Sequence, residues 1–478
     1  MKDKVLLTAI LLAFWMNVLG QDKPNILFIM TDQQSYNMMS CAGNEWLNTP
    51  NIDKLSEAGY RFDKTYCANP VCMPSRFSLL TGHFASDVDV KENTNHSYNA
   101  LKVKQIIAKG SIGNIFRDAG YETLYSGKTH LYGTKDVSEY GFTIHGMDPY
   151  DGPAIYAENA LQEIGNGSQK KPFFMFLSFM NPHDICYKAG WDDRFPDGLT
   201  PAKAAETARL LEVQKTLSET EYRSQIPPRK ANLSPINDEL PEMVEMGSLS
   251  RDWDEDLWDL YSWMYYRLTE SVDAQIGRVL TALGNSGLEE NTIVVFTSDH
   301  GEMNGAHGLI LKNKMFEEAQ RVPFIFAGKG IKANYVDSST LVCNGTDLLP
   351  TLCDMAEIEI PKGIPGISLK PFLTDKGQKP DRKYLITENY NAYQITDKRY
   401  KYTIYELPGL PETLTDLKIN PGETINYATD SSYAEIKAVL KKELMANLSE
   451  RGLTPLPEDR TIKNIRAIDV KNRASKKK

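Results

Sequence analysis

The chain has 478 residues, of which 41% are hydrophobic and 24% are charged, a balance typical of globular proteins. Its formal net charge of −9 argues against a nucleic-acid partner, because an acidic protein is not drawn to polyanions. The length allows two or three domains and suits one large α/β core with a smaller lobe.

The first twenty residues have the pattern of an export signal. Lys2 and Lys4 precede an apolar run over residues 5–15, and Gly20 offers a cleavage position. The run is short for a membrane span, and no later segment approaches 18 uninterrupted apolar residues. We therefore expect a signal peptide over 1–20, no transmembrane segment, and a protein that is periplasmic in a Gram-negative cell or secreted.

Strand and helix signals alternate through the first three quarters of the chain. Continuous apolar runs are typical of buried parallel strands, and amphipathic runs that stop at glycine indicate helices. This alternation predicts an α/β fold, with a mixed, mostly parallel sheet between layers of helices. The predicted strands are Ile26–Met30, Tyr121–Tyr125, Phe173–Phe179, Ile293–Phe296 and Val322–Ala327, and the predicted helices are 51–58, 112–119 and 253–283.

Two stretches depart from this alternation. Residues 184–246 are polar, with one helical patch at 202–215, and are expected to be an insertion near the mouth of the sheet, where substrate loops commonly lie. Beyond residue 380, short runs predict an antiparallel sheet followed by a helix over 433–449. The predicted organisation is a catalytic domain over 21–380, a C-terminal α+β subdomain over 381–470 and a basic tail over 471–478.

Four predicted strands are followed by residues that can bind a metal ion or transfer a proton. Ligands of open α/β sheets bind beyond the carboxyl ends of the strands, so these residues are expected to converge. Carboxylate and amide oxygens favour calcium or magnesium over zinc, although either aspartate alone could instead cap a turn. The residues are Asp32 and Gln33 after the first strand, Lys128 and His130 after the second, His183 after the third, and Asp299 and His300 after the fourth.

The most specific motif is CMPSRFSLLTG at residues 72–82. It resembles the C-x-P-S-R-x-x-L-L-T-G signature of type I sulfatases of the alkaline phosphatase superfamily, in which the cysteine is oxidised to formylglycine. A thiol attacks a sulfate ester poorly, whereas a hydrated aldehyde offers one hydroxyl to attack sulfur and a second to expel the sulfate later. The alternative is a buried cysteine ahead of a helix that starts near Ser75.

The resemblance covers nearly the whole mature chain. Residues 24–33 are similar to the family's opening strand and first metal pair, with glutamine where many members have a second aspartate. Residues 298–312 are similar to its second metal segment and sulfate-binding lysine, and residues 127–130 to its G-K-x-H element. Residues 181–183 are similar to its P-H element but lack the proline commonly found two places later. Residues 415–426 are similar to the small domain's D-L-x-x-x-P-x-E-x-x-N.

The resemblance implies a nucleophile and a cation. Formylglycine derived from Cys72 would attack sulfur, and Arg76 would steady its hydrate. The implied ligands of Ca²⁺, with Mg²⁺ as an alternative, are Asp32, Gln33, Asp299 and His300.

The resemblance also implies substrate-binding and acid–base groups. Lys128 and Lys312 would bind the sulfate, and His183 would contact the substrate and protonate the departing alcohol. His130 would then take a proton from the second hydroxyl to expel the sulfate. His307 is a further candidate for substrate binding, with a loop histidine bonded to backbone as the alternative.

The expected function is that of a sulfuric ester hydrolase resembling bacterial glycan sulfatases. Its substrate would be a sulfated carbohydrate, either a glycosaminoglycan or a mucin-type glycan. Its second partner would be a formylglycine-generating or sulfatase-maturating enzyme. One alternative is a formylglycine-dependent phosphodiesterase or phosphonate monoester hydrolase, which can carry the same signature. Another is a catalytically silent glycan-binding protein in which Cys72 stays unconverted.

Overall fold

The computed structural model describes residues 23–93, 99–132, 136–168, 170–188, 201–233, 250, 253–406 and 412–453. The predicted signal peptide and basic tail lie outside these ranges, as do parts of the predicted insertion. The domain boundaries proposed from the sequence therefore stay predictions.

An eight-stranded mixed sheet forms the centre of the molecule, in the order β5-β4-β6-β1-β7-β8-β2-β9. A two-stranded sheet (β10-β3) and a four-stranded sheet (β11-β12-β13-β14) lie beside it. Within the described residues the strands are β1 (Asn25–Asp32), β2 (Gly59–Phe62), β3 (Thr65–Tyr66), β4 (Glu122–Gly127), β5 (Thr143–Ile144), β6 (Phe173–Pro182), β7 (Thr292–Ser298), β8 (Phe324–Gly328), β9 (Tyr335–Asp337), β10 (Val342–Cys343), β11 (Leu385–Glu388), β12 (Ala392–Thr396), β13 (Tyr400–Tyr405) and β14 (Thr413–Asp416).

Helices cover both faces of the large sheet. Among those in the described ranges, none combines the length and the hydropathy needed to span a bilayer. The α-helices are α1 (Pro50–Glu57), α2 (Cys72–Thr81), α3 (Ala100–Gly110), α4 (Ile112–Asp118), α5 (Gly152–Gly165), α6 (Ile185–Lys188), α7 (Pro201–Thr216), α8 (Glu219–Ser224), α9 (Glu255–Asn285), α10 (Glu317–Gln320), α11 (Asn344–Met355), α12 (Lys370–Leu373) and α13 (Ala434–Glu450), with 3₁₀ turns at Ser40–Ala42, Ala85–Val88, Val137–Tyr140, Glu289–Asn291, Ala306–Gly308 and Ser431–Tyr433.

The central strand β1 separates two hydrophobic cores. Ile26, Phe28 and Met30 point into the core beneath α2, α4 and α11, while Leu27 and Ile29 point into the core beneath α1, α5 and α9. Successive side chains of a strand face opposite sides of the sheet. A continuous apolar run is therefore what a strand needs when helices cover both faces.

The predicted α/β class and mostly parallel sheet are confirmed, with one difference in detail. β1 pairs in parallel with both β6 and β7, and β4 pairs in parallel with β6. β8, predicted as one more strand of the alternating pattern, runs antiparallel to β7 and to β2. A parallel neighbour usually needs a helical crossover, whereas residues 299–323 contain one 3₁₀ turn and the four-residue helix α10, and the chain turns back.

The predicted C-terminal antiparallel sheet and final helix are confirmed. β11 to β14 pair consecutively in antiparallel order. Helix α13 presents Leu440, Leu444 and Leu448 at four-residue intervals, which places them on one face. There they pack with Tyr393 and Tyr402 of the small sheet.

A buried charge cluster joins this small sheet to the segment before β8. The Lys401 ammonium of β13 lies 3.1 Å from Glu317 Oε1 and 2.8 Å from Glu423 Oε1. Arg321 also pairs with Glu317, at 3.3 Å, and the Glu317 backbone N–H donates to Glu423 Oε2 at 2.7 Å. Because Lys401 is 2% exposed, its charge is compensated by these carboxylates rather than by water.

We expect Lys401→Met to destabilise the fold strongly. It leaves Glu317 and Glu423 buried side by side with one of their cations removed, which typically costs about 3–5 kcal/mol. Urea unfolding followed by circular dichroism measures the loss. The control is Lys379→Met, which removes an exposed partner of Asp375 and should leave the midpoint unchanged. Equal midpoints for both variants would contradict the prediction.

Candidate active site

The site forms where the carboxyl ends of β1, β4, β6 and β7 meet the amino end of helix α2. These strands are adjacent and parallel, so residues that follow them share one edge of the sheet. Gly127 is required at the end of β4, because it has φ +100° and a Cβ there would lie 2.1 Å from the carbonyl oxygen of Ser178. This close approach lets the chain leave the sheet toward Lys128.

Cys72 is the first residue of helix α2 and is completely buried. Its Sγ lies 3.1 Å from His300 Nε2, 3.3 Å from Lys312 Nζ and 3.8 Å from Asp32 Oδ1. Burial and Asp32 act to raise the pKa of the thiol, but the ammonium groups of Lys312 and Lys128 outweigh them and hold the pKa well below its usual value. The N-terminus of a helix also favours negative charge.

Arg76 lies one turn further along α2, on the same helix face as Cys72. Its Nη2 contacts Asp32 Oδ2 at 2.7 Å, and its Nε contacts Asp299 Oδ2 at 2.9 Å. Nη1 donates to the hydroxyl of Ser178 at 2.9 Å and to the carbonyl of Lys128 at 3.0 Å. The guanidinium thus connects helix α2 to the ends of four strands or to the loops that follow them.

The pKa values of Asp32 and Asp299 are shifted in opposite directions. Burial opposes ionisation of Asp32, but Lys128, His183 and Arg76 together hold its pKa well below the usual value. Burial and the charge of Asp32 raise the pKa of Asp299 to about 7. The first ionisation of the pair is therefore favoured and the second is disfavoured.

Two lysines, Lys128 and Lys312, add further positive charge to the site. Lys128 Nζ lies 2.6 Å from Asp32 Oδ2, and Lys312 Nζ donates to Gln33 Oε1 at 2.6 Å. Burial acts to lower the pKa of Lys312, but neighbouring thiols and carboxylates raise it above the usual value. With Arg76, three cationic side chains face two carboxylates, so the site of this acidic protein suits an anion.

Three of the predicted histidines, His300, His183 and His130, belong to this edge of the sheet. His300 Nδ1 lies 2.9 Å from the carbonyl of Gly301, so in the neutral ring Nδ1 carries the proton and Nε2 faces Cys72. Burial, Lys128 and Lys312 lower the pKa of His183 to about 3. His130 is half-buried two residues beyond Lys128, with φ +43°, and its Nδ1 has no hydrogen-bond partner among the described residues.

His307 is placed differently from the other predicted site residues. Its ring stacks on Phe316 with centroids 3.9 Å apart, and its backbone N–H donates to the carbonyl of Asn232. Burial lowers the pKa of the imidazole to about 4. None of these contacts belongs to the group around Cys72.

The structure also adds two residues that sequence reasoning missed. Ser178, which binds Arg76, is the one hydroxyl within the apolar run Phe173–Phe179, and this break in the pattern was a usable signal. Cys186 donates to Gln33 Oε1 at 3.2 Å and lies 3.9 Å from Lys312 Nζ. No sequence pattern distinguished Cys186, one of six cysteines that are all unpaired in the structure.

The donor set at this edge fits a divalent cation. Asp32, Cys72, Asp299 and His300 each offer one ligand atom, and these atoms all lie within 4.8 Å of one another. The side-chain oxygen of Gln33 is held beside them through Lys312. Two carboxylates and an amide oxygen are hard ligands of the kind that Ca²⁺ and Mg²⁺ prefer.

Comparison with known proteins agrees with this geometry. Residues 24–358 match the sulfatase family, and residues 305–450 match the family described as "N-sulphoglucosamine sulphohydrolase, C-terminal". Two similar proteins from Bacteroides thetaiotaomicron are a Delta 4,5-hexuronate-2-O-sulfatase, 30% identical over 88% of this chain and 87% of its own length, and an N-acetylglucosamine-6-O-sulfatase, 29% identical over 90% and 86%. A solved "2-O GAG sulfatase" superposes with a TM-score of 0.75 at 28% identity, covering 90% of this chain and 93% of its own.

We expect Arg76→Met to cost about 3–5 kcal/mol of stability, because it leaves Asp32 and Asp299 buried without their shared cation. Urea unfolding at pH 8 in a chelator measures this free energy. The control Arg278→Met removes a half-exposed pair with Glu158 and should cost no more than about 1 kcal/mol. A loss for Arg76→Met as small as the control's would contradict the argument.

Proposed function

Because the chain belongs to the sulfatase family and is therefore a sulfuric ester hydrolase, we propose that it removes sulfate from a glycosaminoglycan-type sugar through a formylglycine nucleophile. The observation that carries the proposal is the buried Cys72 at a helix N-terminus, surrounded by Lys128, Lys312 and Arg76. A monoanionic sulfate ester placed there would meet positive charge on several sides.

The thiol of Cys72 marks the position that the formylglycine side chain would take after conversion. When present, hydrated formylglycine supplies a hydroxyl that attacks sulfur and a second that allows the sulfate to be expelled. Arg76 ties α2 to Asp32 and Asp299 at the ends of β1 and β7. The attacking group therefore stays directed at the cationic side chains of the site. The converting partner would be a formylglycine-generating or sulfatase-maturating enzyme.

Asp32, Gln33, Asp299 and His300 would hold a divalent cation, proposed to be Ca²⁺ with Mg²⁺ as the alternative, since both ions prefer oxygen donors. When bound, the cation withdraws charge from sulfate oxygens as a Lewis acid. Lys128 and Lys312 would contact the remaining oxygens. Both ammonium groups are already held near the thiol by Asp32 and Gln33, so little reorganisation is needed when negative charge develops.

His183 is proposed as the acid that protonates the departing sugar hydroxyl, and His130 as the base for the second step. In the substrate-free protein, burial, Lys128 and Lys312 disfavour the imidazolium form of His183. A bound sulfate ester would offset both lysine charges, which raises the proton affinity of His183 when the acid is needed.

The substrate class is supported by the named relatives. Their names refer to sulfated hexuronate, N-acetylglucosamine and GAG substrates, and they differ in the sulfate position. We therefore propose a sulfated monosaccharide unit of a glycosaminoglycan without assigning the position. His307 stays a weaker part of this proposal, since its ring is stacked on Phe316.

Export to the periplasm or the exterior is part of the proposal. The support is the basic and apolar pattern of residues 1–20, together with the extracellular location of such polysaccharide substrates. The proposed domain division, with a catalytic part before residue 381 and a smaller part after it, agrees with the separate small sheet that begins at Leu385.

The proposed activity is tested with position-defined sulfated mono- and oligosaccharides and with protein co-expressed with a converting enzyme. We expect sulfate release from one sugar, loss of release in Cys72→Ala, and loss on chelation that Ca²⁺ reverses. A phosphonate monoester and a phosphodiester are assayed in parallel. Hydrolysis of only these two would overturn the sulfatase proposal.

His183→Ala separates the acid role from binding. For a sugar sulfate, whose alcohol is a poor leaving group, we expect kcat to fall about 10²–10⁴-fold. For an aryl sulfate with an acidic phenol, kcat should change far less, because the phenolate leaves without a proton. The control is His145→Ala, an exposed ring stacked on Tyr156. Equal losses of kcat on both substrates would remove His183 from the acid role.

A further inference from the structure

We propose that Glu302 is a positioning residue that turns the Gln33 amide so that its oxygen, and not its NH₂ group, faces the proposed cation site. The inference rests on the cation site proposed above. Glu302 would also hold the loop that carries Lys312, so one carboxylate would position a metal ligand and a sulfate-binding group together.

The hydrogen bonds of Gln33 agree on a single orientation of its amide. Gln33 Nε2 donates to Glu302 Oε2 at 2.5 Å. Gln33 Oε1 accepts from Lys312 Nζ at 2.6 Å and from Cys186 Sγ at 3.2 Å. A flipped amide would place two donor groups against Gln33 Nε2 and two acceptor oxygens against each other, so every contact would become unfavourable.

The Gln33 backbone is held as firmly as the side chain. Its N–H donates to Asp299 Oδ1 at 3.1 Å, and its carbonyl accepts from the hydroxyl of Tyr265 at 2.7 Å. Gln33 has φ +72°, a left-handed conformation that is uncommon for a residue with a Cβ. The side chain therefore leaves the backbone in a fixed direction, and its remaining freedom is mainly the amide flip.

Glu302 is itself oriented by three donors on its other oxygen. Oε1 accepts from the hydroxyl of Tyr261 at 2.8 Å, from the backbone N–H of Asn304 at 3.1 Å and from that of Leu311 at 2.6 Å. The carboxylate is completely buried, so water does not substitute for these donors. Oε2 is consequently left facing Gln33, and Leu311 is held immediately before Lys312.

This arrangement solves a problem that a glutamine ligand creates. A carboxylate presents oxygen to a cation in either of its flipped states, whereas an amide presents oxygen in one state and a positively polarised NH₂ in the other. A neutral glutamine at this position therefore needs an acceptor behind its NH₂ group. Glu302 supplies that acceptor, and the Gln33 side chain separates its negative charge from the proposed cation site.

The test exchanges the two side chains. In Glu302→Gln, three donors hold the new amide oxygen where Oε1 was, so its NH₂ meets the NH₂ of Gln33 and forces Gln33 to flip. In Gln33→Glu, two buried carboxylates face each other. In the double variant Gln33→Glu/Glu302→Gln, the amide introduced at position 302 donates to the carboxylate introduced at position 33, whose second oxygen faces the cation. Only the double variant restores a complementary pair.

The measurement is Ca²⁺ affinity by titration calorimetry of the chelator-treated mature chain, with sulfate release as a second readout. Each single variant should bind Ca²⁺ about 10–100-fold more weakly than the wild type. The double variant should return to within a few fold. The control Glu158→Gln makes the same carboxylate-to-amide change at a half-exposed pair with Arg278, outside the site, and should retain wild-type affinity.

The outcomes distinguish this inference from the function it rests on. Wild-type affinity in Glu302→Gln, or no recovery in the double variant, would overturn the positioning role while leaving the sulfatase proposal intact. A wild-type protein that binds neither Ca²⁺ nor Mg²⁺ would overturn the cation site and this inference together. If Glu302→Gln does not fold, as judged by thermal unfolding in chelator, Gln33→Glu compared with the double variant carries the same test.

Discussion

The buried contact of Arg76 with Asp32 and Asp299 is the interaction on which the site depends. β1 and β7 are adjacent parallel strands, and each delivers a carboxylate to the same edge of the sheet. Two such groups without a cation between them would carry a large desolvation and repulsion cost. Arg76 removes that cost, and because it belongs to helix α2 it also fixes where Cys72 lies relative to the strands.

The same contact explains how an acidic protein can recognise an anion. The overall charge of −9 gives no attraction for a sulfated glycan, so the attraction must arise locally. Arg76 and Lys128 are paired with carboxylates, while Lys312 is held by the neutral amide of Gln33. Three cationic side chains therefore face two carboxylates, and the low-dielectric surroundings strengthen their effect on a bound anion.

The segment between β7 and β8 connects this chemistry to the C-terminal sheet. It begins with Asp299 and His300, carries Lys312, and contains Glu317 in its last third, where Lys401 of β13 anchors it. Leu311 and Asn313, on either side of Lys312, both have left-handed φ values of +71° and +67°. Such backbone persists only when surrounding contacts determine it. Here Leu311 N–H donates to Glu302, and the backbone of Asn313 is bonded to Pro70 and to Asn389, in the turn between β11 and β12.

Much of this protein could be read from its sequence, because the relevant signals are local. Apolar runs and the polar residues directly after them predicted β1, β4, β6 and β7 and their convergent ends, and the CMPSRFSLLTG run indicated the family. The tertiary structure alone decided the antiparallel direction of β8, the packing of His307 on Phe316, and the contacts of Ser178 and Cys186 with the site. It also decided which way the Gln33 amide points, since its partner Glu302 lies 269 residues away along the chain. Hydrophobic periodicity reports neighbours within a few residues, whereas hydrogen bonds between distant side chains exist only once the strands that carry them are packed side by side.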